Sequence, residues 1–298
     1  MVLKSRWNRF QLALLLLPGL AVFGMFTVYP IFRLLWMSFC DWSFASMLDQ
    51  PFIGLANYRE VLGDGTFWTV FVNSVVYTLV TVPGQMALGL FTAVLINGIR
   101  RFGVTFRVIN YLPVITSWVI ASLVFRYVFN TEGLLNYFLT NVVHVTSANV
   151  RWLDTRWSGL AVAMILGVWK GMGWNMVVFL AALQQVPAEL YEAAEIDGCS
   201  KAKTLIRVIL PVSIPSLIST GLYAFINAWN EFMFGYVLIS SDKLRTLTPA
   251  IMLFKGANLV DWGGLMAASV ISVLPVTIIF LFLQKYFLAG LMSGSVKG

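Results

Sequence analysis

The residues best placed for chemistry crowd one short stretch, 186–200. Four carboxylates, Glu189, Glu192, Glu195 and Asp197, alternate there with small and apolar side chains, and Gly198 follows. Such acids suit pairing with basic residues that line a partner's groove. A second candidate is Lys170, the one charge in the otherwise apolar run 157–186. An ammonium at the centre of a membrane helix costs about 2.5–3.5 kcal/mol. Lys170 must therefore face a polar path or an acid, or snorkel to an interface. Polar and aromatic residues of this and the other apolar runs complete the set: Trp174 and Asn175; Asn227, Trp229, Asn230 and Glu231; Asn73, Tyr77, Gln85, Ser117 and Trp118. Aromatic faces beside amides and an acid offer a guest both apolar surface and hydrogen-bonding groups. The competing reading places Trp and Tyr in belts at the membrane surface. No GxxxxGK[ST] or HExxH sequence occurs, and Cys40 and Cys199 have no metal-ligand spacing. The single histidine, His144, falls in a loop and reads as a surface residue. No catalytic constellation and no metal site is expected.

Composition says where these residues must sit. Of 298 residues, 59% are apolar and 11% charged, against roughly 45–50% and 25% in an average soluble domain. That excludes a soluble globule, whose surface needs more charge, and excludes disorder, which needs low hydrophobicity. The net charge of +7 reads as basic loops of a membrane protein rather than nucleic-acid binding. The chain is expected to be all-α and polytopic, with six transmembrane helices at about 10–32, 67–96, 108–128, 157–183, 205–230 and 262–285. The first run begins after Lys4, Arg6 and Arg9, as a signal peptide would, but its apolar stretch outruns a signal core of about 7–15 residues. A retained helix is expected, within a single transmembrane domain over 1–298.

Loop charge sets the orientation. Lys4, Arg6 and Arg9, then Arg100, Arg101 and Arg107, then Lys201, Lys203 and Arg207, then Lys285 and Lys297 fall on one side. The other side holds fewer: Arg59, Arg126, Arg151, Arg156, Lys243, Arg245 and Lys255. Its first loop is acidic, with Asp41, Asp49, Glu60 and Asp64. The more basic side is cytoplasmic, which puts both termini inside.

The 187–200 segment then lies on the cytoplasmic side, and its pattern predicts a helix. Pro187 suits a first helical position, and Glu189 meets the positive end of the dipole. Leu190, Ala193 and Ala194 share a face, whose small alanines permit close approach to a groove. Gly198 supplies a left-handed stop, and Ser200 caps a second helix beginning at Lys201. A plain solvated loop helix is the competing reading. Gly167 and Gly171 form a GxxxG, read as close helix packing.

Glu192-Ala193-Ala194, Asp197-Gly198 and Ile209-Leu210-Pro211 with Pro215 together resemble the EAA motif of permease subunits of binding-protein-dependent ABC importers. Leu17-Pro18, Tyr29-Pro30, Phe52 to Tyr58, Asn73-Ser74, Leu112-Pro113, Trp229-Asn230-Glu231 and Trp262-Gly263 are similar to carbohydrate permeases of the maltose and glycerol-phosphate type. The front half of the chain resembles one subunit of the usual permease pair, and the tail 290–298 resembles the other.

The resemblance implies the type I ABC importer permease fold in a bacterial-type inner membrane. It implies that Glu192, Ala193, Ala194, Asp197 and Gly198 form a coupling helix seated in a cleft of a cytoplasmic ATPase. Its implied partners are a second, homologous permease chain, two ATPase subunits that bind ATP-Mg, and an extracytoplasmic substrate-binding protein; no cofactor is implied for this chain. Lys170, Trp174, Asn175, Asn227, Asn230, Glu231, Ser117, Trp118 and Tyr77 are the candidates for the substrate path. A secondary transporter would favour internal repeats and midplane acids, and a membrane enzyme a convergent acid–base cluster. Neither pattern is visible.

Overall fold

The computed structural model describes residues 6–42, 50–99, 101–231, 233–238, 246–251 and 261–295. The expectations resting on Lys4, Asp49, Arg100, Lys243, Arg245, Lys255 and Lys297 lie outside the described residues. The helices are α1 (Arg6–Phe23), α2 (Tyr29–Met37), α3 (Ala56–Gly63), α4 (Gly65–Asn97), α5 (Gly103–Ile115), α6 (Trp118–Val128), α7 (Leu134–Tyr137), α8 (Arg156–Gln185), α9 (Ala188–Ile196), α10 (Lys201–Thr204), α11 (Leu210–Val212), α12 (Ile214–Trp229), α13 (Met233–Leu238), α14 (Leu247–Ala250) and α15 (Trp262–Ser295). Among the described residues there is no β-strand, only an isolated bridge between Cys40 and Phe52.

Among the described residues, four helical stretches are long and apolar enough to cross a membrane: Gln11–Met37, Gly65–Asn97, Arg156–Gln185 and Trp262–Lys285. The count reaches six only when two bent pairs each serve as one span. The expected span at 108–128 is broken into α5 and α6, which meet at 92° across Thr116 and Ser117. The expected span at 205–230 turns by 78° at Ser213, between α11 and α12. Hydropathy registers that both halves of each pair are apolar; it carries no information on their direction.

Prolines explain two local departures from α-geometry. Residues Gly24–Val28 and Leu205–Ile209 are π-helical turns. Each closes on a residue that precedes a proline: the Tyr29 N–H donates to Gly24 O, and the Leu210 N–H to Leu205 O. A proline ring inside a helix clashes with the carbonyl four residues back. One extra residue in the turn makes room for Pro30 and Pro211.

The single domain expected over 1–298 divides by its own contacts into two compact units, Met1–Asp64 with Ile251–Val273, and Gly65–Ala250 with Leu274–Gly298. In the first unit, Asn57 Nδ2 donates to Ser38 O at 2.9 Å and Cys40 O at 3.0 Å. A methyl added at Gly263 would lie 2.6 Å from that same Nδ2. Ser38 Oγ and Tyr58 Oη are 2.7 Å apart, and Gly54 turns the preceding loop with φ +63. The 52–58 run and the Trp262–Gly263 pair are thus two sides of one packed knot.

The second unit is built on α4 and α8. Tyr77 packs on Gly167, Gln85 on Gly171 and Gly89 on Asn175, so the two helices run parallel. At one end Arg156 donates from Nε to Asn73 Oδ1 at 2.7 Å and from Nη2 to Thr69 O at 3.2 Å. There Ser74 Oγ also accepts from the Leu247 N–H at 2.7 Å, pinning α14 to α4. At the other end Ala93 and Ile96 pack against Phe179, Leu180 and Leu183, with Ile209 closing the cluster. The end of α4 and the 186–200 segment therefore share one end of this unit, and 65, 156 and 247 share the other. Many outward-facing side chains, among them Leu79, Phe91 and Ile120, are large and apolar, as a lipid-facing surface requires.

Candidate functional site

Three helices of the second unit enclose a cavity of about 210 Å³. Each contributes side chains at four-residue spacing, which stacks them on one face. Helix α4 supplies Tyr77, Thr81 and Gln85; α8 supplies Lys170 and Trp174, and also Gly167, Gly171 and Asn175; α12 supplies Tyr223 and Asn227, with Glu231 just beyond its end. Trp118 of α6 joins the wall. Eight sequence candidates, Tyr77, Gln85, Trp118, Lys170, Trp174, Asn175, Asn227 and Glu231, therefore converge. Ser117 and Asn230 do not line it. Both are exposed and stand at helix ends, Ser117 before α6 and Asn230 after α12. Thr81 and Tyr223 escaped the sequence reading, although the spacings 77–81–85 and 223–227–231 carry them.

The cavity has an aromatic side and an amide side. Trp174 and Tyr223 face one another at 5.3 Å between ring centroids, tilted by 36°. Both are partly open to solvent, 37% and 45% exposed, so their faces are available to a guest. Asn175, which also lines the cavity, is buried; its Nδ2 donates to Gly171 O at 2.9 Å and to Gln85 Oε1 at 3.3 Å. With both donors directed at acceptors, the amide orientation is fixed. Among the described residues its Oδ1 has no hydrogen-bond partner. The glycines make the network possible: an added methyl at Gly167 or Gly171 would overlap Tyr77 Oη or Gln85 Oε1.

Lys170 neither meets an acid nor snorkels. Its Nζ donates to Thr116 O at 2.6 Å, Pro113 O at 2.8 Å and Val114 O at 3.4 Å. It also lies 4.6 Å from the centroid of the Trp118 ring. The carbonyls belong to the last turn of α5 and the bend after it, where an α-helix leaves acceptors unpaired.

The 187–200 segment forms α9, with Pro187 one residue outside the helix rather than at its first position. Glu189 is in the first turn. The end is a Schellman motif: the Cys199 N–H donates to Ala194 O at 2.9 Å and the Gly198 N–H to Glu195 O at 3.0 Å. Gly198 carries φ +69. Ser200 then caps α10, its hydroxyl accepting from the Lys203 N–H at 3.4 Å.

The expected shared alanine face is split. Ala194 is buried against its own chain, whereas Ala193, Glu189, Glu192 and Ile196 point outward. Helical geometry turns successive residues by about 100°, so Ala193 and Ala194 serve different surfaces. Tyr191 joins the cluster at the end of α4 and α8, its hydroxyl donating to Leu183 O at 3.4 Å, and burial pushes its phenol pKa up. The outward surface of α9 is thus acidic with a small residue in its middle, and Ile196 stands 87% exposed at its end.

Residues 74–292 match the family model described as binding-protein-dependent transport system inner membrane component. The trehalose/maltose transport system permease protein MalG of Thermococcus litoralis is 31% identical over 298 residues, covering 96% of this chain and 97% of the relative. The sulfoquinovosyl glycerol transport system permease protein SmoG of Agrobacterium fabrum is 30% identical over 275 residues, covering 90% of this chain and 88% of the relative. A bacterial ABC transporter that imports the acidic polysaccharide alginate contains a chain with the same fold, at TM-score 0.79 and 20% identity over 97% of this chain and 96% of that one.

Proposed function

Because the chain belongs to the binding-protein-dependent transport system inner membrane component family, we propose that it is one half of the translocation path of an ATP-driven sugar importer in a bacterial-type inner membrane. The observation that carries the sugar reading is the cavity, which the Trp174–Tyr223 pair and the Gln85–Asn175 amides line together. Aromatic faces take the C–H surface of a pyranose, and amides and Glu231 take its hydroxyls. The trehalose/maltose and sulfoquinovosyl glycerol permeases among the relatives support the same class. The cavity is below the roughly 300–1,000 Å³ of ordinary ligand pockets, which fits one wall of a path completed by a second permease chain.

An extracytoplasmic binding protein delivers the sugar, and two cytoplasmic ATPase subunits bind ATP-Mg and supply the energy. The acidic outward surface of α9 docks in a basic cleft of an ATPase. Both termini then lie in the cytoplasm.

Reconstitution tests this. The chain, a partner permease, the ATPases and the cognate binding protein, co-assembled in proteoliposomes, are expected to accumulate radiolabelled sugar only with ATP. Absence of ATP-dependent uptake for every mono- and oligosaccharide offered with its binding protein would refute the sugar reading. Orientation is read separately: a membrane-impermeant thiol reagent is expected to reach a cysteine introduced at Asn149 from outside and one at Lys203 only from inside. Labelling in the opposite sense removes α9 from the ATPase side.

A further inference from the structure

We infer that Lys170 is a positioning residue that sets the corner between α5 and α6, and that it acts on transport through that corner rather than by touching cargo. The inference rests on the transport reading above. An ammonium has three N–H donors, and Thr116 O, Pro113 O and Val114 O occupy them. No donor remains for a guest, although the residue borders the cavity.

What the ammonium does for the backbone is specific to this place. Thr116 and Ser117 are extended, with ψ 145 and ψ 138, so the chain leaves α5 without providing N–H partners to its last carbonyls. Such acceptors are costly in a bilayer unless something satisfies them. A cation is the best partner available, since it also meets the negative end of the α5 dipole. The Trp118 ring, on the first turn of α6, holds the same ammonium from the other side. One side chain of α8 thus binds the end of α5 and the start of α6 at once, and the 92° angle between them is clamped at its vertex. Trp118 and Val114 border the cavity, so the corner's angle fixes that wall.

The test uses the assembled importer in nanodiscs. Spin labels at cysteines replacing the outward-facing Val108 of α5 and Val124 of α6 report the angle as a distance distribution. Lys170→Met, which keeps length and loses the donors, is expected to broaden that distribution. It is also expected to lower the maximal uptake rate about tenfold, the scale of one lost charge-assisted hydrogen bond. The loss should be equal for neutral and anionic sugars, with the half-saturating concentration of loaded binding protein unchanged. Lys170→Arg is expected to restore the narrow distribution and most of the rate. An unchanged distribution in Lys170→Met, or an altered preference between neutral and anionic sugars, would overturn the inference. Should Lys170→Met fail to assemble, Lys170→Arg decides: a narrow distribution with native preference supports the clamp, an altered preference overturns it, and failure of both variants assigns Lys170 to packing alone. Absence of uptake by the native complex would instead count against the sugar reading, and the distance measurement would still judge the clamp.

Discussion

Replacing Gly198 by valine is expected to lower substrate-stimulated ATP hydrolysis of the assembled complex about 5–30-fold, the factor that corresponds to 1–2 kcal/mol. The reason is conformational. Gly198 sits at φ +69, and a Cβ added there meets nothing within 4 Å, so crowding plays no part. A left-handed residue with a side chain costs roughly 1–2 kcal/mol, and a β-branched one is the worst placed to adopt it. Relief of that strain requires giving up the bonds from Gly198 and Cys199 to Glu195 and Ala194. The last turn of α9 would then unwind, moving Ile196 and the Ser200 cap of α10 that follows. Gly198→Asn is the control, because asparagine tolerates the left-handed region. It should keep most of the stimulation. Native stimulation in Gly198→Val, at matched amounts of assembled complex, would sever the link between the helix stop and coupling.

That segment was legible because everything that shapes it is local: an acid in the first turn, a glycine stop, a serine cap, all within fifteen or so residues of chain. What the sequence could not tell is which alanine faces out. Ala193 and Ala194 differ only in which flank meets the ends of α4 and α8, and that is a tertiary fact. The bend between α5 and α6 was hidden for a related reason. Its stabilising partner, Lys170, is 54 residues from Thr116, so no local window joins them. The lone charge of Lys170 calls for a polar path, an acid or an interface; backbone carbonyls freed by a bend cannot be anticipated while the bend is unknown. Tyr77, Trp174, Asn175, Asn227 and Glu231 share the cavity because polar groups inside apolar helices turn inward whatever their neighbours. Ser117 and Asn230 were read by the same rule, yet each terminates a helix, where exposed backbone already accounts for a polar residue.

The packing role of the GxxxG pair leads to a second prediction, one that joins stability to transport. Gly171→Ala places a methyl on Gln85, whose Cδ lies 2.7 Å from that position. Neither helix has room to yield, since the nearby Gly89 already receives the backbone and side chain of α8, with Asn175 Cβ at 2.6 Å from its own added methyl. Overpacking of this kind costs about 1–3 kcal/mol. The thermal midpoint of the assembled complex should fall by roughly 2–4 °C for each kcal/mol, and uptake should fall with it because Gln85 is driven off Asn175. Removing the obstacle separates the two effects. Gly171→Ala combined with Gln85→Ala is expected to regain the midpoint lost by Gly171→Ala alone, a coupling that a double-mutant cycle measures directly. Uptake should stay low in the double variant, since the cavity has lost the amide that accepts from Asn175. If the midpoint is not regained, the clash lies elsewhere on the seam and the Gly171–Gln85 contact is not what holds α4 to α8. If midpoint and uptake return together, Gln85 serves packing only, and the polar wall of the path reduces to Asn175, Asn227 and Glu231.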